Sequence, residues 1–265
     1  MEDVRRVATA RGRAQVGAFL VEGRRMLERA LRAGWAPRDV LVGTSARSEM
    51  AELSPLLEQV VERGGRWQEA PDDALLALSE GRRAGLIAAL VPLPLGAALS
   101  HVVEAAPEKA VYLVIVDVVE PGNVGALVRT ALASNAAAAI CVGSTDPFHP
   151  KAVRTSLGSL FKLPLCRVES SDGLLDALRA AGVCSLATVA RDGVSLDRAV
   201  WPGGSLALLV GNEGQGLPAR LRDAADARVT IDLSSAADSF CVNAAAAVCL
   251  YEVQRRRRFA LDFEG

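Results

Sequence analysis

The chain has 265 residues, of which 51% are hydrophobic and 23% charged, with a formal net charge of −1. That apolar content is enough for a packed core and excludes an intrinsically disordered chain. No apolar run reaches the roughly 20 residues that span a bilayer, and the opening MEDVRRVATARGRAQ is charged from its second residue, so a cytoplasmic protein with no membrane partner is expected.

Cys141, Cys166, Cys184, Cys241 and Cys249 form no CxxC pair, and His101 and His149 lie far apart. This set argues against a metal site and suits reduced thiols. Arg outnumbers Lys 27 to 3, and residues 1–34 hold eight arginines against four acids, with RRRR at 255–258. Such clusters read equally as phosphate-binding patches or as solvated helix faces.

In chain order, FLVEGRRMLERALRAG (19–34) begins like a strand and continues with Met26, Leu27, Ala30 and Leu31 at helical spacing. RDVLVG reads as a strand, EMAELSPLLEQVVERGG and PDDALLALSE as helices, and GLIAALVPLP as a strand. The proline-rich stretch 92–110 marks a junction, giving expected domains at 1–100 and 108–265. Strands are predicted over 111–119, 137–143, 164–169, 184–190, 205–211 and 228–233, with helices over 124–135, 151–160, 172–181 and 240–256. Alternation of this kind implies an α/β fold with a mostly parallel sheet, and ligands in such sheets bind beyond the carboxyl ends of the strands.

Three loops after strands stand out. In EPGNVGALVRT (120–130), Asn123 is suited to cap a helix whose buried stripe is Val124, Leu127, Val128, Ala131 and Leu132, leaving Arg129 off the stripe. VGNEGQGLP (210–218) is glycine-rich but lacks the Gly-Lys-Ser/Thr of a Walker loop, and no GxGxxG occurs there or after VDVV. A phosphate cradle is a poor fit with Glu213 at its centre, and the missing fingerprint argues against a nicotinamide dehydrogenase. In IDLSSAADSFCVNAAAAVCLYE (231–252), Asp238 or Ser239 is placed to cap an alanine-rich helix, either a core element or a close-packed dimer face. Taken singly, each loop is also compatible with a capped turn and no ligand.

Together and in order, NVGALVRTA, VGNEGQGL and Ile231 with DSFCVNAAAAVCLYE resemble the three motifs of the SpoU-type RNA 2′-O-ribose methyltransferases of the SPOUT superfamily. KAVRTSLGSLFKLPL (151–165) fits the stretch between the first two motifs, and FLVEGRRMLERAL is similar to the family's accessory RNA-binding domain. The resemblance implies a deep C-terminal trefoil knot, an N-terminal domain of ribosomal-protein type, a homodimer and S-adenosylmethionine as cofactor. It places the cofactor against Leu209, Gly211, Ile231, Phe240 and Cys241, and the target ribose near Arg129, with Asn123, Glu213 and Ser239 completing the catalytic set. Arg154, Arg24 and Arg11 are the expected RNA contacts. Arg129, being protonated, is read as steadying a developing alkoxide or gripping a phosphate rather than as a true base.

The chain departs from the pattern in the third motif. The usual Ser-Leu-Asn-Val-Ser reads Ser239-Phe240-Cys241-Val242-Asn243, and Asp232 stands where proline is usual. Cys241 lacks an amide's paired donor and acceptor, so either Asn243 compensates or that contact is dispensable. Two readings follow: an S-adenosylmethionine-dependent 2′-O-methyltransferase acting on ribosomal RNA, with transfer RNA as the alternative substrate, or a non-catalytic RNA-binding or ribosome-assembly protein on the same fold. The two-domain plan also occurs in members of the thiostrepton-resistance type.

Overall fold

The structure is a computed structural model and describes residues 2–79, 86–94, 96 and 98–263. Glu80 and Gly85, at the ends of a predicted helix and strand, and two junction residues, Leu95 and Ala97, lie outside them. The chain forms two compact units, one of residues 1–95 with 148–162, the other of 96–147 with 163–265.

The first unit runs α1 (Glu2–Arg6), α2 (Ala10–Val16), β1 (Ala18–Glu22), α3 (Arg24–Arg32), β2 (Asp39–Gly43), α4 (Met50–Glu62), β3 (Arg66–Ala70), α5 (Asp72–Leu78) and β4 (Ile87–Pro92). Its sheet has the order β1-β4-β2-β3, with β4 antiparallel to both neighbours and β2 parallel to β3. The strand β3 has no apolar alternation because it is an edge strand, exposed along most of its length. On one side Val4, Val7, Leu20, Leu41, Leu75 and Leu90 share a core. Elsewhere in the unit Phe19 meets Trp35 edge-to-face, Phe148 at a tilt and Phe161 in a stack, and the Trp35 indole donates to the Phe161 carbonyl at 2.9 Å.

The helix predicted over 151–160 is split. The first part, α8 (Pro150–Thr155), is capped by His149, whose Nδ1 accepts from the Lys151 N–H at 3.1 Å. Left-handed backbone at Leu157 (φ 48°) and Gly158 (φ 85°) then ends it.

Many N-terminal arginines hold the unit together. Arg13 is buried and donates to the Val7 and Ala8 carbonyls, Arg24 pairs with Glu52 and Arg29 donates to the Leu157 carbonyl. Arg5, Arg11 and Arg25 are exposed and have no partner among the described residues.

The second unit runs α6 (Leu99–Glu104), β5 (Val111–Val116), α7 (Pro121–Ala133), β6 (Ala138–Val142), β7 (Leu165–Val168), α9 (Leu174–Ala180), β8 (Cys184–Thr188), β9 (Val194–Ser195), β10 (Leu206–Val210), α10 (Ala219–Ala224), β11 (Ala227–Thr230) and α11 (Val242–Phe263). The sheet order is β7-β6-β5-β10-β8-β11-β9, and every pairing in it is parallel. The strands β5, β6 and β10 are buried at every residue, as a parallel sheet covered on both faces requires. The predicted strand over 111–119 stops at Val116 because Asp117 adopts φ 51°.

The arginine run near the C-terminus is used inside this unit. Arg256 donates to the Asp197 carbonyl, Arg257 to those of Lys109 and Gly204, and Glu252 bridges Arg255 and Arg256 at 2.6–2.7 Å. These bonds tie the second half of α11 to two loops. The Arg255 guanidinium, opposed by burial and aided by Arg256, holds the Glu252 carboxyl down to about 2 from its usual 4.5. A carboxyl depressed on folding stabilises the native state above its unfolded value and loses that contribution as pH falls toward the folded one. Glu252→Gln is therefore expected to cost about 1–2 kcal/mol at neutral pH, with the gap from the unaltered protein closing between pH 4.5 and about 2 in urea unfolding.

Candidate active site

The sequence places Asn123 as the cap of α7, but Glu120 takes that position, its Oε1 accepting from the Gly122 N–H at 3.2 Å, and Pro121 occupies the first turn. Asn123 is thereby released from capping and lies in the first turn with its side chain free to reach another loop. The buried stripe is Val124, Gly125, Leu127, Val128 and Ala131, with Leu132 half-buried. Arg129 is exposed and has no partner among the described residues.

The predicted caps of α11 are likewise displaced. The helix starts at Val242, the Cys241 carbonyl accepts from the Ala245 N–H at 3.0 Å, and Asp238 and Ser239 stay in the exposed segment before it. Asn243 therefore falls in the first turn of α11, as Asn123 does in α7.

These two asparagines and Glu213 form one chain of hydrogen bonds. Asn243 Nδ2 donates to Asn123 Oδ1 at 2.9 Å, and Asn123 Nδ2 donates to Glu213 Oε1 at 2.6 Å. The direction is forced, because a carboxylate only accepts: Asn123 must spend its amide N–H on Glu213 and offer its oxygen to Asn243. Asn243 Oδ1 is then buried without a protein partner.

The loop that carries Glu213 is itself fixed. Asn212 Oδ1 accepts from the Gly214 and Gln215 N–H groups at 2.9 and 3.0 Å, and its Nδ2 donates to the Asp117 carbonyl at 3.0 Å. Left-handed backbone at Asp117 aims that carbonyl, while Asp117 Oδ1 accepts from the Ser144 N–H and hydroxyl at 3.0 and 3.1 Å. Asp117 thus joins the loops after β5, β6 and β10. An ideal Cβ on Gly143 would lie 2.2 Å from Asp117 Oδ1, so only glycine fits beside it.

Next to this chain is a cavity of about 630 Å³, walled by the loops after β8, β10 and β11 and by the start of α11. It is large enough for a nucleoside-sized ligand. Of the residues expected to hold the cofactor, Gly211, Ile231 and Phe240 line it, as do Glu213 and Ser239 from the catalytic set. Leu209 sits buried inside strand β10, with its carbonyl already accepting from the Thr188 hydroxyl at 2.8 Å. Cys241 and Arg129 are exposed and Asn123 is half-buried, and all three lie outside the cavity lining. The buried Cys249 thiol at the wall is pushed up to about 12 by desolvation, so it stays neutral and inert.

Of the expected RNA contacts, Arg154 pairs with the buried Glu22 at 2.9 Å and Arg24 with Glu52, while Arg11 stands exposed. A phosphate reaching Arg154 has to compete with that carboxylate. Among the described residues no three His, Cys, Asp or Glu side chains gather as a metal site would need, and no helix is long and apolar enough to cross a membrane.

Sequence reasoning missed the wall after β8, from Thr188 to Asp192, and the rim arginines Arg191, Arg222 and Arg228. Its position past a strand end was the available signal.

A family model described as SpoU rRNA Methylase family matches residues 110–251, and an MRM3-like substrate binding domain matches residues 2–89. The chain is 28% identical over 256 residues to the 23S rRNA (guanosine(2553)-2′-O)-methyltransferase RlmP of Bacillus subtilis, covering 96% of this chain and 95% of that protein. It is 33% identical over 254 residues to the 23S rRNA (uridine(2479)-2′-O)-methyltransferase of Streptomyces viridochromogenes, covering 92% and 85%. Among solved structures, the AdoMet-bound rRNA methyltransferase from Sinorhizobium meliloti superposes with a TM-score of 0.85 at 27% identity, covering 96% of this chain and 94% of that one. The SpoU methyltransferase AviRb from Streptomyces viridochromogenes, in complex with AdoMet, gives 0.84 at 28% identity, covering 97% of each. The family match spans more than half of the chain and takes in every residue of the cavity and its hydrogen-bond chain, so this protein belongs to the SpoU rRNA methylase family.

Proposed function

We propose that this chain transfers the methyl group of S-adenosylmethionine to a ribose 2′-hydroxyl of ribosomal RNA. The carrying observation is the meeting of three motif loops: Asn123, Glu213 and Asn243 lie in one hydrogen-bond chain beside a cavity of about 630 Å³. A binding-only protein has no need of an aligned carboxylate there, which disfavours the ribosome-assembly reading.

The residues present suit the cofactor. The Gly211 backbone runs so close to Gly216 and Leu217 that no side chain fits there, so an adenosine can approach the main chain at this part of the wall. Backbone around Gly211, Ile231 and Phe240 holds the nucleoside, and bound S-adenosylmethionine supplies an electrophilic methyl group on a good leaving group. The protein's task is alignment and help with the hydroxyl proton. Glu213 Oε2 has no partner among the described residues and is available to accept from the hydroxyl. Arg129, exposed and unpaired, steadies the developing alkoxide or grips the neighbouring phosphate. Ser239 lines the cavity and offers its hydroxyl to the bound ligands.

The domain reading is residues 1–100 for RNA binding and 108–265 for catalysis, with exposed Arg5, Arg11 and Arg25 meeting phosphates in a salt-sensitive way. We read the protein as a cytoplasmic homodimer with a C-terminal knot. Val248 and Tyr251, one turn apart on α11 and 39% and 66% exposed, support a second copy covering that helix. The crossovers that place β10 between β5 and β8, with α11 returning onto α7, support the knotted path. The two curated relatives are named for a guanosine and a uridine, so the target base does not follow from kinship.

The test is incubation with S-[methyl-³H]adenosylmethionine and unmodified ribosomal RNA, with 2′-O-methylation mapped by resistance to alkaline cleavage. A single protected linkage is expected. S-adenosylmethionine binding by calorimetry without methylation of any ribosomal or transfer RNA would overturn the reading.

A further inference from the structure

The geometry points to Asn243 as a positioning residue that supplies, from two places further along the chain, the amide that Cys241 cannot. This rests on the methyltransferase reading for its kinetic consequences but not for its structural ones. Cys241 is exposed before the first turn of α11 and lines no part of the cavity. Asn243, inside that turn, has its Nδ2 2.9 Å from Asn123 Oδ1.

An amide has two ends, and Asn123 left alone can turn either toward Glu213. With its oxygen toward the carboxylate, two acceptors face each other and the contact fails. The carboxylate thus selects Nδ2, and the Asn243 donor holds Asn123 in that orientation by occupying its Oδ1 at 2.9 Å, with Nδ2 on Glu213 Oε1 at 2.6 Å. Glu213 is then held through one oxygen, and its other oxygen has no partner among the described residues. Three separate segments, α7, the loop after β10 and α11, are registered by two hydrogen bonds. Packing alone does not explain Asn243, because its Oδ1 is buried with no protein partner. An apolar side chain of that size would leave no such orphan, so it is the donor on Asn123 that accounts for the amide.

The test uses the whole chain. Asn243→Ser is expected to lower kcat roughly 10- to 100-fold, a range typical for loss of a partner that orients a functional group, with KM for S-adenosylmethionine within about threefold of the unaltered protein. The double variant Cys241→Asn/Asn243→Ser, which restores an amide at the earlier position, is expected to recover most of that loss. A full-rate Asn243→Ser protein, or a double variant no faster than the single one, would overturn the assignment.

Asn243→Asp is the second variant, nearly isosteric, in which a charged acceptor replaces the donor, in case the serine change unfolds the protein. It should be as slow, and a wild-type rate would count against the proposal. A readout independent of activity is the Asn123 side-chain amide resonance in ¹⁵N spectra. Loss of its exchange protection in Asn243→Asp is expected, and unchanged protection would defeat the positioning role. An inactive unaltered protein with that coupling intact would instead count against the methyltransferase reading alone.

Discussion

Gly211→Ala is expected to weaken binding of S-adenosylmethionine at least about tenfold while leaving a folded, less stable protein. The strand β10 ends at Val210, and the chain at once doubles back, so that Asn212 and Gly216 exchange two backbone hydrogen bonds at 3.1 and 2.8 Å. A Cβ on Gly211 would sit 2.4–2.5 Å from the Gly216 carbonyl and the Leu217 nitrogen. Those are main-chain atoms of the turn, which cannot rotate away as a side chain would, so the turn itself must open. Opening costs about 2–4 kcal/mol, in the range of overpacking and strain. It also displaces Glu213 and the main-chain wall of the cavity. Thermal unfolding and calorimetric titration check both parts: a lower Tm together with a loss of affinity of at least about tenfold, equivalent to 1.4 kcal/mol. Normal affinity in Gly211→Ala would mean that the ligand does not rest on this turn.

Arg129→Ala carries the other large effect, and it should act on rate rather than on binding of the cofactor. Arg129 lies outside the cavity lining and makes no ion pair among the described residues. Its removal therefore leaves the fold and the cofactor wall untouched. A guanidinium that meets negative charge only as the hydroxyl reacts contributes on the scale of an oxyanion-hole donor, about 10²–10³ in kcat. The expected result is that loss with an unchanged Tm and unchanged affinity for S-adenosylmethionine. Arg129→Lys discriminates between two uses of the charge. Substantial activity in the lysine variant points to a simple charge at a phosphate, and inactivity points to the paired geometry of the fork.

The standing of Arg154 and Arg24 illustrates why charge runs are weak guides. Both were expected at RNA, Arg24 from the N-terminal arginine cluster and Arg154 from its place in a loop-following helix, yet each already faces a glutamate, Glu52 and Glu22 respectively. The same holds for 255–257, where the guanidinium groups satisfy Glu252 and loop carbonyls of their own unit. Sequence records the charge of a residue but not the acid or carbonyl that tertiary structure brings to meet it.

The sequence by itself determined the alternation of strands and helices in the second unit, because β5, β6 and β10 are buried on both faces and so written as unbroken apolar runs. It also singled out the loops that meet at the cavity and its hydrogen-bond chain, since Asn, Glu and Gly at strand ends are visible without coordinates. It did not determine α1, α2, α6 and α10, all short, or the exposed edge strand β3, since such elements are held by neighbours rather than by their own periodicity. Above all, only tertiary structure decided what the asparagines do. By local propensity Asn123 belongs at a helix cap, but Glu120 already provides that bond, and Asn123 turns to Glu213, 90 residues away in sequence. Asn243, at a position where the family's usual residue is serine, becomes its partner across 120 residues. A hydrogen bond depends on distance and direction in space, and neither is encoded locally when the two groups come from separate strand–helix units of the sheet.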